Sequence, residues 1–398
     1  MLRERVPLSG YTTLRLGGPA ARLAEARTAD EVVAAVRAAD AAGEPLLVLG
    51  GGSNLVVSDD GFPGTVLRVA TTGVAVGESG ERVLVTVAAG ESWDRLVEWS
   101  VAEKLAGLEC LAGIPGLTGA TPIQNVGAYG QEVAATVCAV TVLDRATGSV
   151  TALAGGECGF GYRTSRFKRT AWPPRAPGSR TGAGAGPAGP AAGVAPVGSG
   201  ASPTGRYVVL DVTFALERDP MSVPVRYSEL AARLNVQAGE RAPLADVRAA
   251  VLELRRSKGM VLDPADPDTA SAGSFFTNPV LGHAELARLE RVVSARSPGA
   301  RVPAYPVAGA ADPGGGSWHE HGSVKVPAAW LIEQAGFGKG YPGHGPARIS
   351  SKHTLALTNA GGASAASLIG LAREITAGVR SAFGIELVNE PVLVGLSL

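Results

Sequence analysis

Cysteine is scarce in this chain. Cys110, Cys138 and Cys158 are its only three, an odd number without CxxC spacing. That pattern argues against a disulfide framework or a structural zinc site. Buried free thiols in a reducing compartment are expected. Net charge is missing as well: 36 lysines and arginines meet 36 aspartates and glutamates, so no overall field favours nucleic acid or an anionic membrane. No run of about 20 apolar residues exists, as a membrane span would need, and the first twenty residues lack the apolar stretch of a signal peptide. Histidine is absent before residue 280; all five (His283, His319, His321, His344, His353) follow it. A soluble, cytoplasmic chain is expected, free of nucleic-acid and membrane partners. Its 398 residues suffice for two or three domains with substantial cores.

Glycine is what the chain has instead. Residues 110–132 read CLAGIPGLTGATPIQNVGAYGQE, with five glycines and two prolines that rule out a regular helix or central strand. Glycine lets main-chain amides approach a ligand closely, so such a loop can line a phosphate. The competing reading is an ordinary glycine-rich surface connection. The segment is long for a structureless loop and apolar where a solvated linker would be charged, which favours a buried backbone cradle. A second glycine stretch, LLVLGGGSNLVVSDDGFPGTVLRV at 46–69, starts as a β run and enters Gly50–Gly51–Gly52–Ser53–Asn54. A strand entering consecutive glycines can bind a pyrophosphate through backbone amides. Neither the GxGxxG nor the GxxxxGK[ST] spacing is present. Together the two stretches suggest one extended cofactor lying across two loops.

The remaining pattern predicts short strands, frequent turns and an α+β organisation rather than a doubly wound sheet. Thr28 and Glu31 form a capping-box pattern opening a helix through Ala42, which Gly43 ends. Helices are predicted over 93–104, 244–257, 283–293, 324–333 and 363–383, and β runs over 83–87, 139–143, 207–216 and 392–394. Order also returns at VPVRYSEL, 223–230, where one reading of Tyr227 is a half-buried strand tyrosine. From about 170 to 206 the composition collapses into Gly, Ala, Pro and Ser. Such a stretch cannot bury enough apolar area to order itself and is expected to be a dispensable insertion. A similar patch at 309–322 carries His319 and His321, whose H-x-H spacing could hold a metal. Surface histidines are the preferred reading, and no metal is expected.

Five motifs then fall into one order. GIPGLTGATPIQNVGAYGQE, YRTSRFK at 162–168, AGSFFTNP at 272–279, VPAAWLIEQAG at 326–336 and the terminal NEPVLVG together resemble the UDP-N-acetylenolpyruvoylglucosamine reductase (UDP-N-acetylmuramate dehydrogenase) family. The resemblance covers most of the chain apart from the two low-complexity patches. It implies a two-part FAD-binding domain of the vanillyl-alcohol-oxidase type followed by a C-terminal α+β substrate-binding domain. The expected limits are 1–70 and 71–258 for the two flavin parts, with the insertion at about 171–205. The substrate domain would be 259–398, its last strand carrying Glu390 back to the site. The implied reaction, in cell-wall precursor synthesis, is reduction of UDP-N-acetylglucosamine enolpyruvate to UDP-N-acetylmuramate, with FAD as cofactor and NADPH as hydride donor. The alternative is a sugar or lactone oxidase of the same fold, and a third reading is a flavin- or nucleotide-binding regulator that has lost its chemistry.

The chemistry explains the residues. Hydride added to the terminal enolpyruvyl carbon leaves negative charge on the adjacent carbon and the carboxylate, so cations or donors are needed there, and an acid must protonate that carbon. By resemblance Ser274 is that acid, and Arg163 with Glu390 polarises the substrate carboxylate. An arginine forks onto a carboxylate through two donors. Glu390 must then carry or share a proton, since a second bare carboxylate would repel the first. Ser274 could otherwise be a turn residue, and Arg163 part of a solvated basic face with Arg166, Lys168 and Arg169; Glu386 rivals Glu390. For FAD, the amides of Gly50, Gly51, Gly52, Ser53 and Asn54 and of Gly116, Thr118, Gly119, Ala120 and Thr121 are expected at the pyrophosphate. Gln124, Asn125, Gly127, Ala128 and Tyr129 are expected near the flavin. With no histidine in that half, the FAD should be non-covalent. Tyr162, Tyr227, Lys258, Asn278, Lys325 and Gln334 are the substrate candidates, Tyr227 resembling the aromatic of the subtype with an extra loop. A monomer is expected.

Overall fold

A computed structural model describes residues 2–170, 172, 204–307 and 323–398. Most of the expected insertion, and the patch with His319 and His321, lie outside the described residues. The chain opens with β1 (Arg3–Pro7), β2 (Pro19–Ala26), α1 (Ala29–Ala41), β3 (Leu46–Leu49), β4 (Leu55–Val57) and β5 (Phe62–Val69). The Thr28 hydroxyl accepts from the Glu31 amide and the Glu31 carboxylate accepts from Thr28 N, closing the capping box as expected. Four strands pair in the order β1-β2-β5-β3, and β2 and β3 both run parallel to β5.

A second sheet follows, built from β6 (Val74–Ser79), β7 (Arg82–Ala88) and the strands Val137–Asp144, Ser149–Ala154 and Tyr207–Arg218. The Tyr207–Arg218 strand lies centrally, and its Val208, Val209, Leu210, Val212, Phe214 and Leu216 are buried. Its core also takes in Trp93 and Leu96 of α2 (Trp93–Ala102) and Val32 and Val36 of α1. Between these strands comes the short α3 (Arg166–Arg169), capped by Ser165. The segment at 223–230 opens α4 (Ser228–Leu234), and Tyr227 is an exposed N-cap residue, 42% accessible, which removes the reading of a half-buried strand tyrosine. The next helix, α5 (Leu244–Ser257), has the limits the apolar spacing predicts.

The last third builds its own core. Ser271–Ser274 pairs with Ala356–Asn359, which pairs with Ala347–Ile349; α8 (Ala365–Phe383) packs on these strands, and α6 (His283–Arg296) and α7 (Ala328–Gln334) pack on α8. The predicted helix over 324–333 is split: Val324–Lys325 is a strand paired with Val280–Leu281, and Pro327 delays α7. The terminal strand Val392–Val394 leaves this region and pairs in parallel with β4. All three cysteines are free, with Cys110 and Cys158 buried. Among the described residues no helix is long and apolar enough to cross a membrane, and no cluster of side chains is able to hold a metal.

Candidate active site

The two glycine stretches meet back to back. A Cβ placed on Gly51 would lie 2.8 Å from the Gly116 Cα, and one on Gly116, at φ +121°, would lie 2.8 Å from the Ser53 Oγ. Only glycine permits this approach. Ser53 Oγ donates to the Pro115 carbonyl at 3.0 Å and locks the contact. Gly50 faces the Leu117 side chain, and Gly52 sits at φ +61° against the Tyr11 carbonyl. The amides of Gly51, Gly52, Ser53 and Asn54 make no hydrogen bond among the described residues, so this arm offers a row of main-chain donors suited to a phosphate.

The second arm differs from expectation. Thr118 N donates to Glu91 O and Gly119 N to Ala89 O, at 2.8 and 2.9 Å, while Ala120 N and Thr121 N close a tight turn onto Leu117 O and Thr118 O. Those four amides are consumed by the fold, so they are not available to a pyrophosphate; Gly116 and Leu117 carry the donors left on this arm. Thr118 and Thr121 are buried, with hydroxyls bonded to Glu91 O and Thr118 O. Asn125, also buried, at φ +48°, spends its side-chain amide on the Glu132 carboxylate and Gly161 O and accepts from Ala134 N. Its role in the structure is to tie the glycine stretch to the 161–164 turn. Gln124 accepts from Asn54 Nδ2 at 2.9 Å, linking the two arms.

That 161–164 turn carries the next group. Amide–carbonyl bonds in both directions join Gly161 and Thr164, and Arg163 sits between them at φ +51°. Its Nη2 donates to Gly127 O at 2.7 Å and its Nε lies 3.4 Å from Glu390 Oε1. Glu390, eight residues before the C-terminus, reaches this place because its amide donates to Phe275 O at 2.9 Å, its carbonyl accepts from Asn54 Nδ2 at 3.4 Å, and Val392 N bonds Asn54 O. Ser274 immediately precedes Phe275, half-buried, after Gly273 at φ +73°. Residues 163, 274 and 390 thus stand on three segments joined by direct hydrogen bonds or an ion pair. Glu386 is exposed.

Around them stand three of the six substrate candidates. Lys325 Nζ lies 4.8 Å from the Tyr162 ring centroid and the Arg163 guanidinium 5.7 Å from it. Burial pushes the Tyr162 phenol up, with Asn278 among its hydrogen-bonding neighbours. Asn278 Oδ1 also accepts from Ala328 N and starts α7. Ala128 lies half-buried in the short Gly127–Ala128 strand beside this corner. Tyr129, Tyr227 and Lys258 form a second cluster: the tyrosine rings meet edge to face at 5.3 Å and Lys258 Nζ lies 5.8 Å from the Tyr129 ring. Lys258 also pairs with Glu229 at 2.6 Å. Burial pushes Tyr129 up to about 12. Gln334 is exposed at the far end of α7, roughly 9 Å along the axis from the end at Asn278.

One group not singled out as a candidate joins the site, and a second feels the charge of Lys258. The ammonium of Lys168 donates to Arg163 O at 3.2 Å, and burial lowers its hold on its proton while Glu390 opposes that shift. His353 is held down to about 4 by burial and by Lys258, Lys339 and Arg255, with Glu333 acting the other way. Lys168 lies in SRFKRT and His353 in SSKHT, and neither stretch has a spacing that distinguishes a site from a solvated face.

Residues 20–154 match a family model described as an FAD binding domain, and residues 264–394 match the UDP-N-acetylenolpyruvoylglucosamine reductase, C-terminal domain. The UDP-N-acetylenolpyruvoylglucosamine reductase of Thermobifida fusca (strain YX) is 52% identical over 397 residues, spanning 99% of this chain and 98% of the relative. That of Streptomyces coelicolor is 51% identical over 98% of this chain and 90% of its own length. The crystal structure of the UDP-N-acetylenolpyruvylglucosamine reductase from Thermus caldophilus superposes with a TM-score of 0.58 at 25% identity, covering 99% of this chain and all of that one. With its fold of an FAD-binding part and this C-terminal domain, the chain belongs to the UDP-N-acetylenolpyruvoylglucosamine reductase family.

Proposed function

We propose that this chain reduces UDP-N-acetylglucosamine enolpyruvate to UDP-N-acetylmuramate at the corner formed by Arg163, Ser274 and Glu390. The reaction is that of a UDP-N-acetylmuramate dehydrogenase, a flavoprotein of peptidoglycan precursor synthesis. The observation that carries the reading is the 3.4 Å approach of Glu390, from the last strand, to Arg163 beside the glycine arms. FAD fits the cradle because the Gly51–Gly116 contact excludes side chains and leaves main-chain donors free. Gly50–Asn54, with Gly116, would hold its pyrophosphate, and Gln124, Gly127, Ala128 and Tyr129 would border its ring system. When bound, FAD would supply to the terminal enolpyruvyl carbon a hydride drawn from NADPH.

The chain's own residues do the rest. Arg163 forks onto the substrate carboxylate and Glu390, carrying a proton in the complex, donates a second bond to it. Negative charge then gathers on the adjacent carbon, and Ser274 passes its hydroxyl proton to that carbon. Such a carbanion is basic enough to take a proton from an alcohol, which a weaker base could not. Tyr162, Asn278 and Lys325 border the substrate near this corner. Tyr227 and Lys258 would meet its nucleotide end, Tyr227 in the manner of the subtype with an extra tyrosine-bearing loop; Gln334 would contact the uracil or sugar. We assign residues 1–70 and 71–258 to the two flavin parts and 259–398 to the substrate domain. We assign its action to a monomer in the cytoplasm, where NADPH and the UDP-sugar are found.

The test is anaerobic stopped-flow mixing. NADPH should bleach the bound flavin, and UDP-N-acetylglucosamine enolpyruvate should restore its colour without oxygen. Flavin that stays reduced until oxygen is admitted would fit an oxidase and end this reading.

A further inference from the structure

Lys168 is half-buried, and none of the ion pairs within 4.0 Å among the described residues involves it. Its bonding partner is a neutral group, the Arg163 carbonyl at 3.2 Å. Lysines are seldom withdrawn from water without a counter-ion, because the ammonium loses hydration. The charges that act on it are Arg163, which weakens its hold on its proton, and Glu390, which strengthens it. Lys168 therefore adds a positive charge beside Arg163 and Glu390, with Lys325 across the Tyr162 ring, at the corner where the substrate carboxylate arrives. The carbonyl it grips also belongs to a strained residue. Arg163 is a non-glycine at φ +51°, a conformation that persists only where its surroundings enforce it.

We propose that Lys168 is a positioning residue for the reductase reaction: it clamps the Arg163 carbonyl so that the guanidinium stays between Gly127 and Glu390, and its charge completes the pocket for the substrate carboxylate. This rests on the site reading given above. The sequence supports the arrangement physically. Ser165 Oγ accepts from Phe167 N and Lys168 N while donating to Ile123 O at 2.6 Å. The first turn of α3 is thereby pinned to the glycine stretch, and position 168 is delivered back over the turn that holds Arg163.

Three variants separate clamp from charge: Lys168→Met removes both, Lys168→Gln keeps an N–H donor, and Lys168→Arg keeps charge and donors. Substrate affinity is read from the perturbation of the flavin spectrum, and each half-reaction by stopped flow across pH. In Lys168→Met, affinity for the enolpyruvyl substrate should fall about tenfold to a hundredfold and flavin oxidation by it should slow about as much. Flavin reduction by NADPH should stay within about threefold of wild type. Lys168→Gln should recover oxidation rate more than affinity, and Lys168→Arg should recover affinity. A Lys168→Met protein with affinity and oxidation within about twofold of wild type would overturn the proposal. Equal slowing of both half-reactions, with Gln and Arg no better than Met, would also overturn it, because that is the signature of a purely structural lysine. Wild-type protein whose reduced flavin ignores the substrate would instead bring down the site reading, and this inference with it.

Discussion

Arg163 combines a left-handed backbone, a carbonyl partner at Gly127 and a carboxyl partner at Glu390, so its planar fork has little freedom to be replaced by a flexible ammonium. Arg163→Lys is expected to lose one charged hydrogen bond to the substrate, about 1.5–3 kcal/mol, or roughly 10- to 150-fold in kcat/KM. Steady-state kinetics with the enolpyruvyl substrate checks this, and an unchanged kcat/KM would contradict it. His353 gives a pH prediction. Its folded value of about 4 lies below the unfolded 6.5, so between these the unfolded chain binds more protons. Stability should therefore decline as pH falls from 6.5 towards 4 and gain nothing from this group above 6.5. In His353→Gln that part of the melting-temperature profile should flatten; parallel profiles would contradict the assignment. Little of this was legible residue by residue. Ser274 after glycine reads equally as a turn residue, and Lys168 reads as part of a solvated basic run. Only burial and distant neighbours, which spacing does not encode, separate them from that background.

At the scale of elements, local rules carried further. The Thr28–Glu31 cap, the span of α5 and the strand in 207–218 follow from side-chain chemistry that acts within a few residues. They fail where a non-local partner decides. Val324–Lys325 is extended because it pairs with Val280–Leu281, and α4 begins only after Tyr227 has turned onto Tyr129. The glycine arms were readable as a cradle, but which of their amides stay free depends on where Ala89 and Glu91 lie. Gly51 yields the test at this scale. Gly51→Ala would push a methyl group into the Gly116 backbone at 2.8 Å, costing about 1–3 kcal/mol and opening the phosphate arm. The purified variant should carry less FAD per chain than wild type and melt lower. Full flavin content would show that the arms do not hold the cofactor.

For the molecule as a whole, the last strand joins what the chain order separates. Leu393 belongs to the core of the C-terminal region, while Val394 enters the core beneath β1–β5. Between them they fix Glu390 against the flavin part of the fold. Leu393→Ala should cost about 2–5 kcal/mol in urea unfolding, and a loss well under 1 kcal/mol would mean the strand is not a structural clip. No local pattern announces this closure; the terminal NEPVLVG reads as one short β run, and its partner β4 lies more than 300 residues earlier. Three such separated groups are proposed to converge on one developing negative charge, and Ser274→Ala removes the proton donor among them. Single-turnover stopped flow, without oxygen, measures reduction of the flavin by NADPH and its oxidation by the enolpyruvyl substrate in the same preparation. The account predicts reduction near the wild-type rate and oxidation slowed by about 10²–10⁴. Equal slowing of the two steps, or oxidation at the wild-type rate, would contradict it.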